Sequence, residues 1–212
     1  MKDYIIIKNY SKTIKGNKIL DNINLSFDKG KIYGIKGRNG SGKTMLMRAI
    51  CGLIYPDDGE VIVNGENITQ SKTIPKSIGA IIDSVGFLPY LSGYDNLKIL
   101  AEIKNEINDT KIKDTMKMVG LNPDEKKKVR AYSLGMRQKL AIAQAIMEDP
   151  ELLILDEPIN GLDEDSVKIF NDLIRNYANK NTTIILTNHN HEELKDLCDE
   201  IILLNAGKVQ FA

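Results

Sequence analysis

The 212 residues of the chain are enough for one sizeable domain, with subdomains around a substantial hydrophobic core. Lysine and arginine together number 29, as do aspartate and glutamate, so the formal net charge is zero and does not favour nucleic acid as a partner. The two cysteines form no disulfide framework, the N-terminus lacks the apolar run of a signal peptide, and no run approaches the ~18 residues of a membrane-spanning helix, so we expect a cytoplasmic protein with free thiols.

The first third of the sequence predicts β-strands around a glycine-rich loop. YIIIKNY and NINLSF are rich in β-branched residues, and EVIVNGENI contains the turn signal Asn64-Gly65. The short apolar segment KIYGIKG leads into the loop, and KTMLMRAICGL after it has a helical period that ends at Gly52.

The rest of the chain predicts helices and then a parallel sheet. From about Gly93 to Met147, YDNLKILAEIKN, TKIKDTMKMVGL and MRQKLAIAQAIMEDP repeat apolar residues with a helical period. ELLILDEP and TTIILTN then resemble buried parallel strands, and DEDSVKIFNDLIRNYANK between them is an amphipathic helix. This alternation predicts an α/β domain. We interpret the charge run DEKKKVR as solvated rather than as a binding patch.

GRNGSGKT, from Gly37 to Thr44, matches the phosphate-loop pattern G-x-x-x-x-G-K-[ST] between a predicted strand and a predicted helix. The glycines let backbone N–H groups approach phosphate oxygens, Lys43 brings a positive charge to the outer phosphates, and the Thr44 hydroxyl suits Mg²⁺. The alternative is a glycine turn followed by a surface lysine. We expect all eight residues to bind a nucleotide: Gly37, Arg38, Asn39, Gly40, Ser41, Gly42, Lys43 and Thr44.

Two acids and a histidine follow the later buried strands. LLILDEP delivers Asp156 to the carboxyl edge of the sheet, where ligands of open α/β sheets bind. There Asp156 would hold Mg²⁺, and Glu157 could polarise an attacking water. Strand ends often carry acids, so the pair alone is weak evidence. His189 follows TTIILTN in the same way, although a lone histidine there is more often a surface or capping residue, as we expect for His191.

YSLGMRQKL places Ser133 and Gly135 just before a helical pattern that carries Arg137 and Lys139. A helix N-terminus with bare N–H groups attracts an anion. The alternative is ordinary N-capping by Ser133, and both can hold together.

In order and spacing, GRNGSGKT, YSLGMRQKL, LLILDEP, NGLD and His189 resemble the ATP-binding subunit of ABC transporters over essentially the whole chain. IGAIIDSVGFLPYLSGYDNLKIL and YSLGMRQKL are most similar to ATPases of ABC-2-type exporters, including those for peptide antibiotics and lantibiotic immunity. The resemblance implies an α/β fold: a P-loop NTPase (RecA-like) parallel-sheet core, an N-terminal antiparallel β-subdomain at about 1–30 and 57–83, and an α-helical subdomain at about 84–140. The core would take about 31–56 and 141–212.

The resemblance also implies roles for these residues. Two ATPase subunits would meet head to tail, each ATP with its Mg²⁺ lying between one phosphate loop and the partner's YSLGMRQKL, which we call the signature stretch. Ser133 would contact the γ-phosphate through its hydroxyl and Gly135 through its backbone. Glu157 would activate water and His189 would steady the γ-phosphate. Asp163 in NGLD would lie at the dimer contact, although alone it is simply a good helix N-cap.

The chain departs from the family pattern at several positions. Asp83 occupies the place of a usual glutamine; it is shorter and charged, but still able to reach Mg²⁺ or its waters. The family also stacks an aromatic on adenine where this chain has Ile14, which predicts weak base discrimination, unless Tyr10 substitutes. The common signature is LSGGQ, and three of its five residues are replaced, by Tyr132, Leu134 and Met136.

The function implied is ATP hydrolysis that powers a membrane transporter, with export favoured over import. The partners would be a second ATPase subunit, a homodimer being favoured, and transmembrane permease subunits that hold the chain at the inner face of the membrane. One alternative is a non-transport ABC ATPase acting on DNA or ribosomes, but such proteins usually carry a coiled-coil insertion or two cassettes. Another is a small-molecule kinase, which would not explain the signature stretch. The permease would dock near four apolar residues, Phe87, Leu88, Tyr90 and Leu91; the alternative is that these residues only pack the helical subdomain.

Overall fold

The computed structural model describes residues 3–83, 85–188 and 191–210. They form a four-stranded sheet of order β2-β1-β4-β5 and a six-stranded sheet of order β10-β9-β3-β8-β7-β6. The elements are β1 Asp3–Ile14, β2 Asn17–Asp28, β3 Ile32–Lys36, α1 Lys43–Ile50, β4 Asp58–Val63, β5 Glu66–Asn67, α2 Ile68–Ser71, β6 Ile78–Ile81, α3 Gly93–Lys104, α4 Asp109–Met118, a 3₁₀ turn Val129–Ala131, α5 Leu134–Ile146, β7 Leu152–Leu155, α6 Glu164–Asn179, β8 Thr183–Thr187, α7 His191–Leu197, β9 Glu200–Asn205 and β10 Lys208–Gln210.

The six-stranded sheet is the centre of the molecule, and five of its strands are parallel. Every residue of β7 and β8 is buried, which explains their near-continuous apolar sequences. Alternate residues of β7 face opposite sides: Leu153 and Leu155 join α5 and α6 in one hydrophobic cluster, whereas Leu152 and Ile154 join α1 and the antiparallel sheet in another. The sheet is therefore covered on both faces, and its polar chemistry is confined to its edges.

The antiparallel sheet is built from two hairpins. Residues 15 and 16 join β1 to β2, and Asn64-Gly65 joins β4 to β5 with positive φ at both residues, as the sequence predicts for a tight turn. This sheet packs its apolar face on α1 and on the central sheet.

Helices α3, α4 and α5 lie in the middle third of the chain, where the sequence predicts mainly helices, and local side chains cap their N-termini. Ser92 and Asp95 form a reciprocal capping box at α3, and Asn108 caps α4. The charge run 124–130 that precedes α5 is largely exposed, as expected of a solvated segment. None of the helices in the described ranges is long and apolar enough to cross a membrane.

Most predicted elements are confirmed, but one subdomain boundary is corrected. The segment 57–83, which the sequence places in the antiparallel subdomain, contains β6, and β6 pairs in parallel with β7 at the edge of the central sheet. Ile78–Ile81 is an apolar segment, and each of its residues pairs with one residue of the buried strand Leu152–Leu155. An apolar segment of this kind suits a parallel sheet that is covered on both faces. Helix α5 likewise crosses the predicted boundary at residue 140 without a break.

Candidate active site

The candidate site lies where neighbouring parallel strands end. In the sheet order, β3, β8 and β7 are adjacent and parallel, so their carboxyl ends share one edge. The phosphate loop follows β3, Asp156 follows β7, and Thr187 is the last residue of β8. Ligands of open α/β sheets bind at this edge, and the three segments therefore converge where the sequence predicts.

Glycines shape the phosphate loop. A Cβ at Gly37 would lie 2.3 Å from the carbonyl oxygen of Leu204 and 2.4 Å from Ser41 Oγ, so no larger residue fits there. Gly42, at φ 106°, caps α1 in a left-handed conformation that other residues rarely adopt. The loop is held at its far side by a hydrogen bond from Gly207 N to the Ser41 carbonyl, 2.9 Å long.

The polar groups of the loop fit a phosphate. Lys43 is 7% exposed, and its ammonium donates to the carbonyl oxygens of Gly37 at 2.8 Å and Arg38 at 3.2 Å. Ser41 Oγ is buried and has no hydrogen-bond partner among the described residues. A buried hydroxyl without a partner is costly, whereas a phosphate oxygen would satisfy it. The cradle thus combines a fixed positive charge, an unsatisfied donor and a helix N-terminus.

Thr44 and Asp156 form the group that suits a magnesium ion. Thr44 Oγ1 donates to Asp156 Oδ2 at 2.5 Å, and Thr187 Oγ1 donates to Asp156 Oδ1 at 2.6 Å. Hydroxyl and carboxylate oxygens are ligands that Mg²⁺ prefers, and it typically takes only one or two from the protein, the rest coming from phosphates and water. In the described part of the chain no cluster of three His, Cys, Asp or Glu side chains could hold a metal ion, and the donors present fit a magnesium ion shared with phosphate.

Glu157 occupies an unusual backbone conformation beside this group. Its φ is 50°, in the left-handed region, and its N–H donates to Thr187 Oγ1 at 2.8 Å. Thr187 was not among the sequence-predicted site residues. Its signal is a hydroxyl at the end of the apolar run TTIILTN, two residues before His189. His189 itself lies outside the described residues.

The signature stretch begins α5. Ser133 is exposed and caps the helix, accepting a hydrogen bond from Met136 N at 3.2 Å, so the structural alternative given for this serine is present. Tyr132 is instead a core residue whose hydroxyl accepts from Gly93 N. Gln138 Nε2 donates to the carbonyl oxygen of Pro158 at 2.7 Å, which ties α5 to the segment following Glu157.

Gly135 lies where α5 approaches NGLD, the part of that segment that ends at Asp163. A Cβ at Gly135 would be 2.9 Å from the Gly161 carbonyl oxygen, so the start of α5 packs closely on NGLD. Asp163 caps α6 through Ser166 N at 2.8 Å. Hydrogen bonds from Ser166, with a smaller contribution from the positive charge of Lys139, lower the pKa of Asp163.

Asp83 and Ile14 each make contacts of their own outside the Thr44–Asp156 pair. Asp83 follows β6 with φ 58° and forms an ion pair with Arg48, which lies one helical turn beyond Thr44 on α1. Ile14 ends β1 opposite Asn17 and is half-buried. The alternative base-stacking residue is wrong: Tyr10 is fully buried, and its hydroxyl donates to the Ile54 carbonyl oxygen at 3.1 Å.

The predicted docking residues divide into two exposed ones and two that are partly buried, Phe87 and Leu91. Tyr90 is 70% exposed and Leu88 51% exposed, whereas Phe87 packs against the hydrophobic cluster beneath α3. The Arg130 guanidinium lies over the Tyr90 ring, 5.6 Å from its centroid. The exposed part of this apolar patch is therefore Leu88 and Tyr90.

Comparisons with known proteins agree on one family. A family model described as ABC transporter matches residues 20–160. The uncharacterised ABC transporter ATP-binding protein YybJ of Bacillus subtilis is 44% identical over 97% of this chain and 94% of its own length. The bacitracin transport ATP-binding protein BcrA of Enterococcus faecalis is 39% identical over 97% of this chain and 68% of its own length. The lantibiotic transport ATP-binding protein SrtF of Streptococcus pyogenes is 34% identical over 96% and 87%.

Solved structures show the same fold. A dimeric bacterial ABC transporter cassette superposes with a TM-score of 0.88 at 23% identity, over 98% of this chain and 97% of that one. A post-hydrolysis state of that cassette, bound to ADP and Pi, gives the same score and coverage.

Proposed function

The chain belongs to the ABC transporter family as an ATP-binding cassette, and on that premise we propose that it hydrolyses ATP within a head-to-tail dimer that powers a membrane exporter. The observation that carries the proposal is the contact of Thr44 with Asp156 beside a phosphate loop whose lysine is already in place. The family resemblance seen in the sequence is confirmed by the relatives.

The described residues divide the work of hydrolysis between them. Lys43 and the N–H groups of the loop hold the outer phosphates of ATP. Thr44 and Asp156 would hold Mg²⁺, which when bound neutralises charge on those phosphates. Glu157 accepts a hydrogen bond from the attacking water and orients it. His189 stays predicted to steady the γ-phosphate.

In the proposed dimer, the signature stretch of one subunit completes the ATP site of the other. Ser133 is exposed at the N-terminus of α5, and its described hydrogen bonds stay within that helix, so its hydroxyl is accessible to a second subunit. Gly135 packs against Gly161 of NGLD, the segment that ends at Asp163. We propose that this surface binds the partner's ATP and that the partner is a second copy of the chain.

The exporter role rests on the names of relatives and on one surface. BcrA is named for bacitracin transport and SrtF for lantibiotic transport, so we propose peptide antibiotics as the class of cargo. A permease would bind Leu88 and Tyr90 and keep the chain at the inner face of the membrane. Charge substitutions Leu88→Glu and Tyr90→Glu should abolish co-purification with the permease from membranes. Ile103→Glu, at an exposed site near the C-terminal end of α3, is the control and should leave co-purification unchanged.

Asp83 has a proposed part in this coupling. Its carboxylate is already neutralised by Arg48, so in this structure it is bound to α1 rather than to Thr44 or Asp156. We propose that it reaches Mg²⁺ or its waters only after exchanging that ion pair. An exposed ion pair contributes only about 0–1 kcal/mol, so the exchange costs little.

The test is the solution mass of Glu157→Gln with and without Mg²⁺-ATP, measured by light scattering. This variant should bind ATP without hydrolysing it and shift from monomer to dimer. The double variant Glu157→Gln with Lys43→Ala removes the phosphate-binding ammonium and should stay monomeric. If Glu157→Gln binds ATP and still remains a monomer, the homodimeric sandwich is wrong.

A further inference from the structure

The hydroxyl of Thr187 contacts both acidic residues of the site. It donates to Asp156 Oδ1 at 2.6 Å and accepts from Glu157 N at 2.8 Å, and the residue is fully buried at the end of β8. The direction of each bond is fixed by chemistry, because a backbone N–H can only donate and an ionised carboxylate can only accept. One side chain on β8 therefore sets the position of two consecutive residues after β7.

One contact restrains the carboxylate of Asp156, and the other restrains the backbone of Glu157. The Asp156 carboxylate is held between two hydroxyls, Thr44 on one oxygen and Thr187 on the other, and these two hydrogen bonds restrict its rotation. Glu157 has φ 50°, a conformation that non-glycine residues keep only where the surroundings enforce it. Thr187 accepts its N–H and so helps to enforce it.

We propose that Thr187 is a positioning residue for ATP hydrolysis: it orients Asp156 for the metal ion and Glu157 for the attacking water. The inference rests on the proposed function, since it assigns these tasks to the two acids. Residues that orient metal ligands and catalytic groups typically matter ~10–100-fold, although they touch neither substrate nor metal.

The chain supplies a matched control on the same strand. Thr183 opens β8, is fully buried, and its hydroxyl also makes two hydrogen bonds, accepting from Gly30 N at 3.1 Å and donating to the Asp28 carbonyl oxygen at 3.4 Å. It lies at the opposite end of the sheet from the acids. Thr183→Val and Thr187→Val therefore remove the same group from equally buried positions, and only one of them touches the site.

The experiment compares Thr187→Val, Thr187→Ser and Thr183→Val with wild-type protein. Thr187→Val should lower kcat for ATP by ~10–100-fold and weaken the Mg²⁺ dependence of binding of a fluorescent ATP analogue, with little change in its affinity without Mg²⁺. Thr187→Ser keeps the hydroxyl and should recover most of both. Thr183→Val should lose a similar amount of urea stability and keep wild-type kcat and Mg²⁺ dependence.

Two results would overturn the inference while leaving the proposed function intact. One is a Thr187→Val protein with wild-type kcat and Mg²⁺ dependence. The other is an equal loss in Thr183→Val or no recovery in Thr187→Ser, which would make the effect one of packing. Failure of the proposed function looks different, because wild-type protein would then bind or hydrolyse no ATP, and the inference would fall with it.

Discussion

Replacing Ser133 by alanine separates the two roles of the signature stretch. Among the described residues of the single chain, this hydroxyl caps α5 through Met136 N at 3.2 Å and makes no other hydrogen bond. Losing such a cap costs about 1 kcal/mol of stability, which is small against the roughly 5–15 kcal/mol that holds a domain folded. The variant should therefore fold normally, with a slightly lower urea midpoint.

In the dimer the same substitution should cost far more. A hydrogen bond to a charged group contributes about 1.5–3 kcal/mol, and a symmetric sandwich would lose it at both ATP sites. The expected loss is about 3–6 kcal/mol per dimer, which corresponds to a roughly 10²- to 10⁴-fold weaker dimer, since each 1.4 kcal/mol is about tenfold. The measurement distinguishes this loss of dimer affinity from the loss of about 1 kcal/mol of folding stability that removal of the cap alone would cause.

The assay is ATP-driven dimerisation of Glu157→Gln with and without Ser133→Ala, followed by light scattering across a concentration series. The control is Ser92→Ala, which removes a buried capping hydroxyl at α3 and should lower stability without weakening the dimer. If the Glu157→Gln protein with Ser133→Ala dimerises as tightly as Glu157→Gln alone and loses only the stability of a cap, the signature stretch does not bind the partner's ATP as proposed.

Three further outcomes are expected. ATP and GTP should bind with similar affinities in competition titrations, because Ile14 offers the base no π-stacking; strong adenine selectivity would contradict this. The pKa of Asp163 is lowered by its hydrogen bonds with Ser166, so its contribution to stability is complete above about pH 4 and is lost as the pH falls through the lowered value. Urea midpoints of wild type and Asp163→Asn, whose cap does not titrate, should therefore converge in acid, and a difference independent of pH would refute the assignment. Burial raises the pKa of Cys51 and of Cys198 to about 12, so a thiolate-specific reagent should label native protein far more slowly than urea-unfolded protein, and equal rates would count against it.

Local chemistry explains why so much of this site could be predicted. GRNGSGKT carries within eight residues the glycines of a loop and the first residues of a helix, and the structure has both. The apolar run of LLILDEP predicts a buried strand, and the two acids directly after it are then expected at the end of that strand. The caps at Ser133 and Asp163 also act within three residues along the chain.

Contacts between distant segments explain what could not be predicted. Thr187 bonds to Asp156 and Glu157, which lie 31 and 30 residues away in the sequence, and Asp83 pairs with Arg48, which lies 35 residues away. Strand β6 pairs with β7, which is separated from it in sequence by α3, α4 and α5. Tyr10 failed as a base-stacking residue because the antiparallel sheet and α1 close over it.

The sequence by itself therefore determined the elements, the phosphate loop, the two acids and the family, because each is written in a short run of residues whose spacing and polarity act locally. Only the tertiary structure decided which strand edge receives β6, which carboxylate is neutralised by Arg48, and that the hydroxyl of Thr187 holds Asp156 and Glu157 together. Those outcomes depend on strand order and register, which bring residues from separate parts of the chain within hydrogen-bonding distance and which no local pattern specifies.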